Sequence, residues 1–208
     1  MADIIMPAFL DYQKEAAIIG RLLAGYGELE YDLSICLGAT LEKAETAVRT
    51  LFRVRGEKQR IDTADALMRD VYISNELGNE YCEAIGNMHW CRTCRNQYAH
   101  CHWLGQENGL YFTNLETSAK KHGPIILNLL NVDVPLLEEQ EAYFKYTQRL
   151  LTYLYHEHEK KAGKFSNHPF PAPKKQPRPR LYNPQETHPP PQTKQDNGTP
   201  HQEPPMGE

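Results

Sequence analysis

The sequence predicts a mainly all-α protein, a bundle of four or five antiparallel helices with a β-hairpin before the last one. Three observations predict it. Apolar residues recur every three to four positions in long blocks before residue 105 and again after 133. Between those blocks the period shortens to two around Leu110–Leu115, behind an Asn108-Gly109 turn. Beyond Lys164 aliphatic residues almost vanish, and 12 of the 15 prolines crowd into this last part. A segment of that composition buries too little apolar surface to offset its ordering entropy. The predicted division is therefore a helical domain over 1–163 and a disordered Pro-rich tail over 164–208.

The first helical block runs from about Tyr12 to Leu37 through Ile19, Leu22, Leu23, Tyr26, Leu29, Leu33 and Cys36, with Gly38 as its stop. Glu30 interrupts this stripe, and a carboxylate facing a core needs a partner. Thr40 is the expected N-cap of a second helix carrying Ala44, Val48, Leu51 and Phe52, broken at Gly56. A third pattern follows at Ile61, Ala64, Leu67, Met68, Val71 and Tyr72. Arg49, Arg53, Arg55, Lys58 and Arg60 flank the break, and Arg49, Arg53 and Arg60 would share a face were the helix continuous. Such runs are most often solvated faces.

The next helix, capped by Asn75 or Asn79, carries Tyr81, Ile85, Met88, Cys91, Cys94, Tyr98 and Cys101 on its apolar side, and Gly105 ends it. His89, Arg92, Asn96, His100 and Trp103 fall on the opposite side. Leu110–Leu115 and Pro124–Leu130 are the expected hairpin strands, joined by a loop over Lys120–Pro124. Asp133 then caps the last helix, with Pro135 in its first turn, the stripe Leu137, Phe144, Thr147, Leu151, Leu154 and His158, and Gly163 as its close.

Charge and cysteine usage narrow the function. Residues 1–163 carry 17 Lys and Arg against 23 Asp and Glu, a balance of −6, so the domain is no general polyanion binder. Nucleic-acid work would have to use a local basic site. Five cysteines form no even disulfide framework, and the Ala2–Leu10 stretch lacks the basic start of a signal peptide. A reducing cytoplasm is expected. No apolar run approaches membrane-spanning length.

Two chemistries compete for the stretch from Cys91 to Trp103. Cys91-x-x-Cys94 with His100, Cys101 or His102 supplies enough donors for zinc. The helical period, however, puts the two cysteines on the core side and His100 on the other, and buried free Cys is an ordinary small core residue. Arg95, Asn96 and His100 suit metal-free phosphodiester chemistry: His for proton transfer, Arg for charge developing on phosphorus, Asn for orientation. Arg95 and His100 stand about 140° apart on an ideal helix, so such a site works better when two copies of the helix meet across a two-fold axis. The structural alternative pairs Arg95 with Glu30 and leaves His100 to cap its own helix.

Arg95-Asn96-Gln97-Tyr98-Ala99-His100 resembles the R-x4–6-H motif of the HEPN superfamily (higher eukaryotes and prokaryotes nucleotide-binding), in which a polar residue, often Asn, follows the Arg. The organisation is also similar: a helical bundle, the motif late in a helix, a hairpin, then a final helix. Cys101 stands where Gly is frequent. The resemblance implies a homodimer with a composite site and metal-independent RNase activity without cofactor. It also implies a role as toxin or phage-defence effector, in some members beside a nucleotidyltransferase antitoxin. Other members are non-catalytic. The expected site is then Arg95, His100 and Asn96, with Arg92, Arg49 and Arg53 contacting RNA and Glu30 as a supporting acid.

Overall fold

The structure is a computed structural model that describes residues 6–120, 127–164 and 171–184. Ten elements follow in order: α1 (Ala8–Asp11), α2 (Gln13–Leu41), α3 (Ala44–Arg53), α4 (Glu57–Ser74), α5 (Gly78–Ala99), β1 (His102–Gln106), β2 (Gly109–Thr113), α6 (Leu115–Ala119), β3 (Leu130–Val132) and α7 (Val134–Lys161). A helical bundle with a small antiparallel sheet before the last helix is thus the architecture.

The core is built on α2 and α7, the most extensively packed pair. Leu22, Leu29, Leu33 and Leu37 of α2 and Leu137, Leu151 and Leu154 of α7 are almost wholly buried. These are the stripes that helical spacing marks out. Each buried Leu contributes about 1.5–3 kcal/mol through removal of apolar surface from water. Contacts from Arg21 to Glu141 and from Cys36 to the Leu151 carbonyl advance together, so α2 and α7 run in the same sense. From α4 through α5 to α7 the helices alternate, as Asp65–Tyr81, Asp62–His89 and Glu57–Arg95 show for the first pair.

Several boundaries differ from expectation, each for a physical reason. Helix α2 runs through Gly38 to Leu41 and ends at Glu42 in the left-handed region (φ 54°). Gly38 is buried, and a Cβ there would lie 2.9 Å from the Ala44 Cα, so its role is close packing against α3. Thr40 lies inside α2 and donates to the Cys36 carbonyl at 3.1 Å; α3 begins after Lys43 with no side-chain cap. Gly56 does break the chain, at φ +89°, and α4 starts immediately after it. Neither Asn75 nor Asn79 caps α5: Asn75 closes α4 and bonds the His158 ring at 3.0 Å.

Helix α5 ends at Ala99 rather than Gly105. Residues 102–106 form β1, which pairs with β2 in the register Trp103↔Phe112 and Gly105↔Leu110 across a turn at Glu107-Asn108, one residue before the expected Asn108-Gly109. Strand alternation therefore carries Trp103 away from the helix's polar face and into an aromatic cluster with Phe9, Tyr98 and Phe112, at centroid distances of 5.4 to 5.6 Å. β3 completes the sheet on the other edge of β2. The expected hairpin partner 124–130 contributes only Leu130 to β3, and residues 121–126 lie outside the described residues. Asp133 caps α7 as expected, accepting from the Leu136 N–H at 3.0 Å, and Gly163 closes it at φ +75°.

Residues 171–184 depart from the expectation of disorder. They form an extended arm whose Arg180 and Leu181 carbonyls accept hydrogen bonds from buried Gln140 at 2.7 and 3.1 Å. Gln97 adds a third bond to Leu181, and Asn183 forms an isolated antiparallel bridge with Asn131 in β3. The arm has few apolar side chains, so backbone carbonyls do the docking where hydrophobic burial cannot. The rest of the Pro-rich segment, 165–170 and 185–208, lies outside the described residues.

Candidate functional site

Three elements converge on a polar belt along one face of α5. Gly56 lets the chain turn sharply before α4, so Glu57, Lys58 and Arg60 occupy that helix's first turn beside α2 and α5. On α5 the spacing of three and four sets His89, Arg92 and Asn96 along one side, with Arg95 adjacent. The other side of α5 is core: Tyr81, Met88, Cys91, Cys94 and Tyr98 are buried.

The two carboxylates of this belt have separate partners. Glu30 pairs with Arg60, whose Nη1 reaches both its oxygens at 2.6 and 2.7 Å. Burial pushes the Glu30 carboxyl above its ordinary range, and the Arg60 charge opposes that shift. Arg60 also donates Nε to the Val54 carbonyl at 3.2 Å and lies over the Phe52 ring. Arg95 pairs instead with Glu57, at 2.9 Å, and the same Nη1 donates to Asn96 Oδ1 at 2.9 Å. The anticipated Glu30–Arg95 pair is therefore corrected. Gly56 breaks the helix so that Arg60 turns inward to Glu30 while Glu57 faces α5.

Beneath these pairs lie two polar atoms shielded from solvent and without a hydrogen-bond partner, the Tyr26 hydroxyl and Arg92 Nε. Burial drives the Tyr26 hydroxyl strongly toward its neutral form, reinforced by the negative charges of Glu30 and Glu57.

His100 stands apart from this belt. It caps the end of α5 with its backbone N–H on the Asn96 carbonyl, and its side chain is exposed. Glu116 of α6 is a carboxyl held low mainly by Lys120, with a minor contribution from His100. Within one chain, then, Arg95 and Asn96 are tied together, and no hydrogen bond or ion pair among the described residues joins them to the His100 ring. Arg49 is engaged by Glu45 in its own helix, Arg53 lies exposed on α3, and no such bond ties either to α5. Arg92 does join the belt.

The cysteines are core groups. The Cys94 thiol donates to Gln140 Oε1 at 3.3 Å and Cys91 lies 3.6 Å from the Thr147 hydroxyl. Burial pushes Cys91 up to about 12 and Cys94 well above its usual range, which opposes the thiolate a metal would need. Among the described residues, no three His, Cys, Asp or Glu side chains gather where they could hold a metal ion.

Sequence reasoning missed Glu57, Gln140 and Arg178. Gln140 had a readable signal: it falls between Leu137 and Phe144 on the α7 stripe, the same anomaly that marks Glu30. Arg178 had none, because it sits in the Pro-rich composition. Among the described residues no helix is long and apolar enough to cross a membrane. No family model matches the chain, and no curated protein or solved structure matches it.

Proposed function

We propose that this chain is a metal-independent endoribonuclease of toxin or phage-defence type, acting in the cytoplasm as a homodimer of HEPN kind. The observation that carries this reading is the end of α5, where Arg95 and Asn96 are held as a bonded pair and His100 stands exposed one turn further on. Two such helix ends, brought together, would pool two guanidinium groups, two amides and two imidazoles. One imidazole takes the proton of the RNA 2′-hydroxyl as the 2′-oxygen bonds to phosphorus. A protonated imidazole from the second chain gives a proton to the 5′-oxygen as its bond to phosphorus breaks. The products are a 2′,3′-cyclic phosphate and a 5′-hydroxyl. Arg95 stabilises the added charge on the phosphorane, and the requirement for a 2′-hydroxyl confines cleavage to RNA. A nucleotidyltransferase-type antitoxin is the partner this reading carries with it.

A second reading has one observation in its favour: the Arg95 charge is already matched by Glu57. A non-catalytic bundle that binds a partner protein or nucleotide would use Arg95 in this structural way. Incubation of purified protein with RNA in EDTA separates the two. The nuclease reading expects cyclic-phosphate ends and a loss of about 10²–10⁴-fold in His100→Ala. Equal cleavage by wild type and His100→Ala, or none by wild type freed of any partner, overturns it.

A further inference from the structure

A second feature of the α5 face owes nothing to the helix end. Between α4, α5 and the arm lies an open hollow of about 430 Å³, whose lining includes Lys58, His89, Trp90, Arg92 and Arg178, with Gly86 also on it. We propose that this hollow is a phosphate-binding subsite for a ligand carrying a nucleoside phosphate, and that the docked arm completes it by supplying Arg178.

Four observations support it. First, three permanent cations face the hollow, and the carboxylate bonded beside it is Asp62, shared between Lys58 at 2.5 Å and His89 at 3.5 Å. No carboxylate lies within ion-pair distance of Arg92 or Arg178 among the described residues. Lys58 is matched by Asp62, so Arg92 and Arg178 supply the unpaired positive charge of the hollow, beside a domain (1–163) whose own balance is −6. Second, Arg92 Nε is buried without a hydrogen-bond partner, where a buried N–H normally has an acceptor, so no bond from this atom holds the guanidinium away from the hollow. Third, Arg178 is positioned rather than loose. The arm on either side of it is tied down by Lys175–Glu83 and by Gln140, and the Arg178 charge acts on the Tyr143 hydroxyl, which donates to Asn87 Oδ1 at 2.5 Å. Fourth, the arm packs closely on α5 here: a Cβ at Gly86 would stand in van der Waals contact with Arg178 Nη2, at 3.9 Å. Two planar guanidinium groups and an ammonium around one concavity match the oxygens of a phosphate. The hollow opens to solvent, which leaves the rest of a phosphate-bearing ligand free to extend from it.

The hollow shares Arg92 with the RNA contacts of the proposed nuclease site, but none of its lining residues is Arg95, Asn96 or His100, so binding there is separable from cleavage. It is tested by titration calorimetry on the full chain in phosphate-free buffer with EDTA, using AMP, adenosine, inorganic phosphate and a short RNA with either a 5′-phosphate or a 5′-hydroxyl. AMP is expected to bind and adenosine not to. Arg178→Gln and Arg92→Gln should each weaken AMP at least about tenfold, the loss of one charge-assisted contact. Lys58→Gln alters an exposed side chain and keeps the test valid should an Arg variant melt early; it should weaken AMP in the same direction. A preference for 5′-phosphorylated RNA assigns the phosphate to an RNA end, and tighter binding of AMP assigns it to a free nucleotide; both support the subsite. Equal binding of AMP and adenosine, no binding of any phosphate, or Lys58→Gln and Arg178→Gln both indistinguishable from wild type overturns it. His100→Ala should bind AMP as wild type does, so failure of the nuclease reading and failure of the subsite give different results.

Discussion

At the scale of single residues, the most consequential contact is Arg60 on Glu30. The carboxylate is 8% exposed and its burial already disfavours its charge. Removing Arg60 would leave that charge uncompensated and would also free the Val54 carbonyl at the end of α3. Arg60→Ala should therefore cost about 3 kcal/mol in a urea melt, and replacing both partners by Leu should cost much less, because two apolar groups leave no orphaned charge. A smaller loss in the single than in the double variant would refute this account. The need for such a partner was legible in the sequence from one polar residue inside an apolar stripe. Its identity was not, since the choice between Arg60 and Arg95 depends on how sharply the chain turns at Gly56. That angle belongs to the backbone and leaves no trace in periodicity.

At the scale of elements, the long helix α2 offers two opposite outcomes for one substitution. Gly20, Gly25 and Gly27 have open space where a Cβ would go, so Gly25→Ala should stabilise by about 0.5–1 kcal/mol through helix propensity. A Cβ at Gly38 would meet the Ala44 backbone at 2.9 Å, and Gly38→Ala should destabilise by about 1–3 kcal/mol, as overpacking does. Urea midpoints of the two variants that shift the same way would contradict this. Helices α2, α4, α5 and α7 were legible because their stripes are long and regular. The end of α5 was not: Tyr98, Cys101 and the residues beyond continue the helical spacing for a further turn, while Trp103 and Phe112 gain an aromatic cluster by pairing as strands. Tertiary packing overrides local spacing at that boundary. The consequence reaches the candidate site, since His100 becomes the cap of the helix instead of a member of its face.

Across the whole molecule, the arm changes what counts as the folded unit. Gln140, wholly buried, accepts from Tyr98 at 2.6 Å and from Cys94, and donates to two carbonyls of the arm. It joins the core of the bundle to residues forty positions later in the chain. Gln140→Leu should cost about 1–3 kcal/mol by leaving the arm carbonyls and the Tyr98 hydroxyl without it, and should raise amide hydrogen exchange across 171–184. Unchanged exchange in the arm would show that its other contacts suffice. Composition predicted no structure here, and for a physical reason: Pro-rich sequence lacks the apolar side chains that drive docking, whereas this arm is held through its backbone. The acceptor groups used are common to every residue, so nothing in the sequence of the arm announces them.

The distribution of thiols has a practical corollary. Cys36, Cys91 and Cys94 are sealed in the interior and Cys101 is half-buried with its thiol pushed up to about 12, whereas Cys82 lies on the surface near the start of α5. The natural chain thus carries a built-in attachment point for a spin label or fluorophore, without engineered cysteines. Because that point rides on the helix whose far end meets its twin in the proposed dimer, a probe at Cys82 is a molecular ruler: an intermolecular distance read from it would report how two α5 helices are arranged in solution.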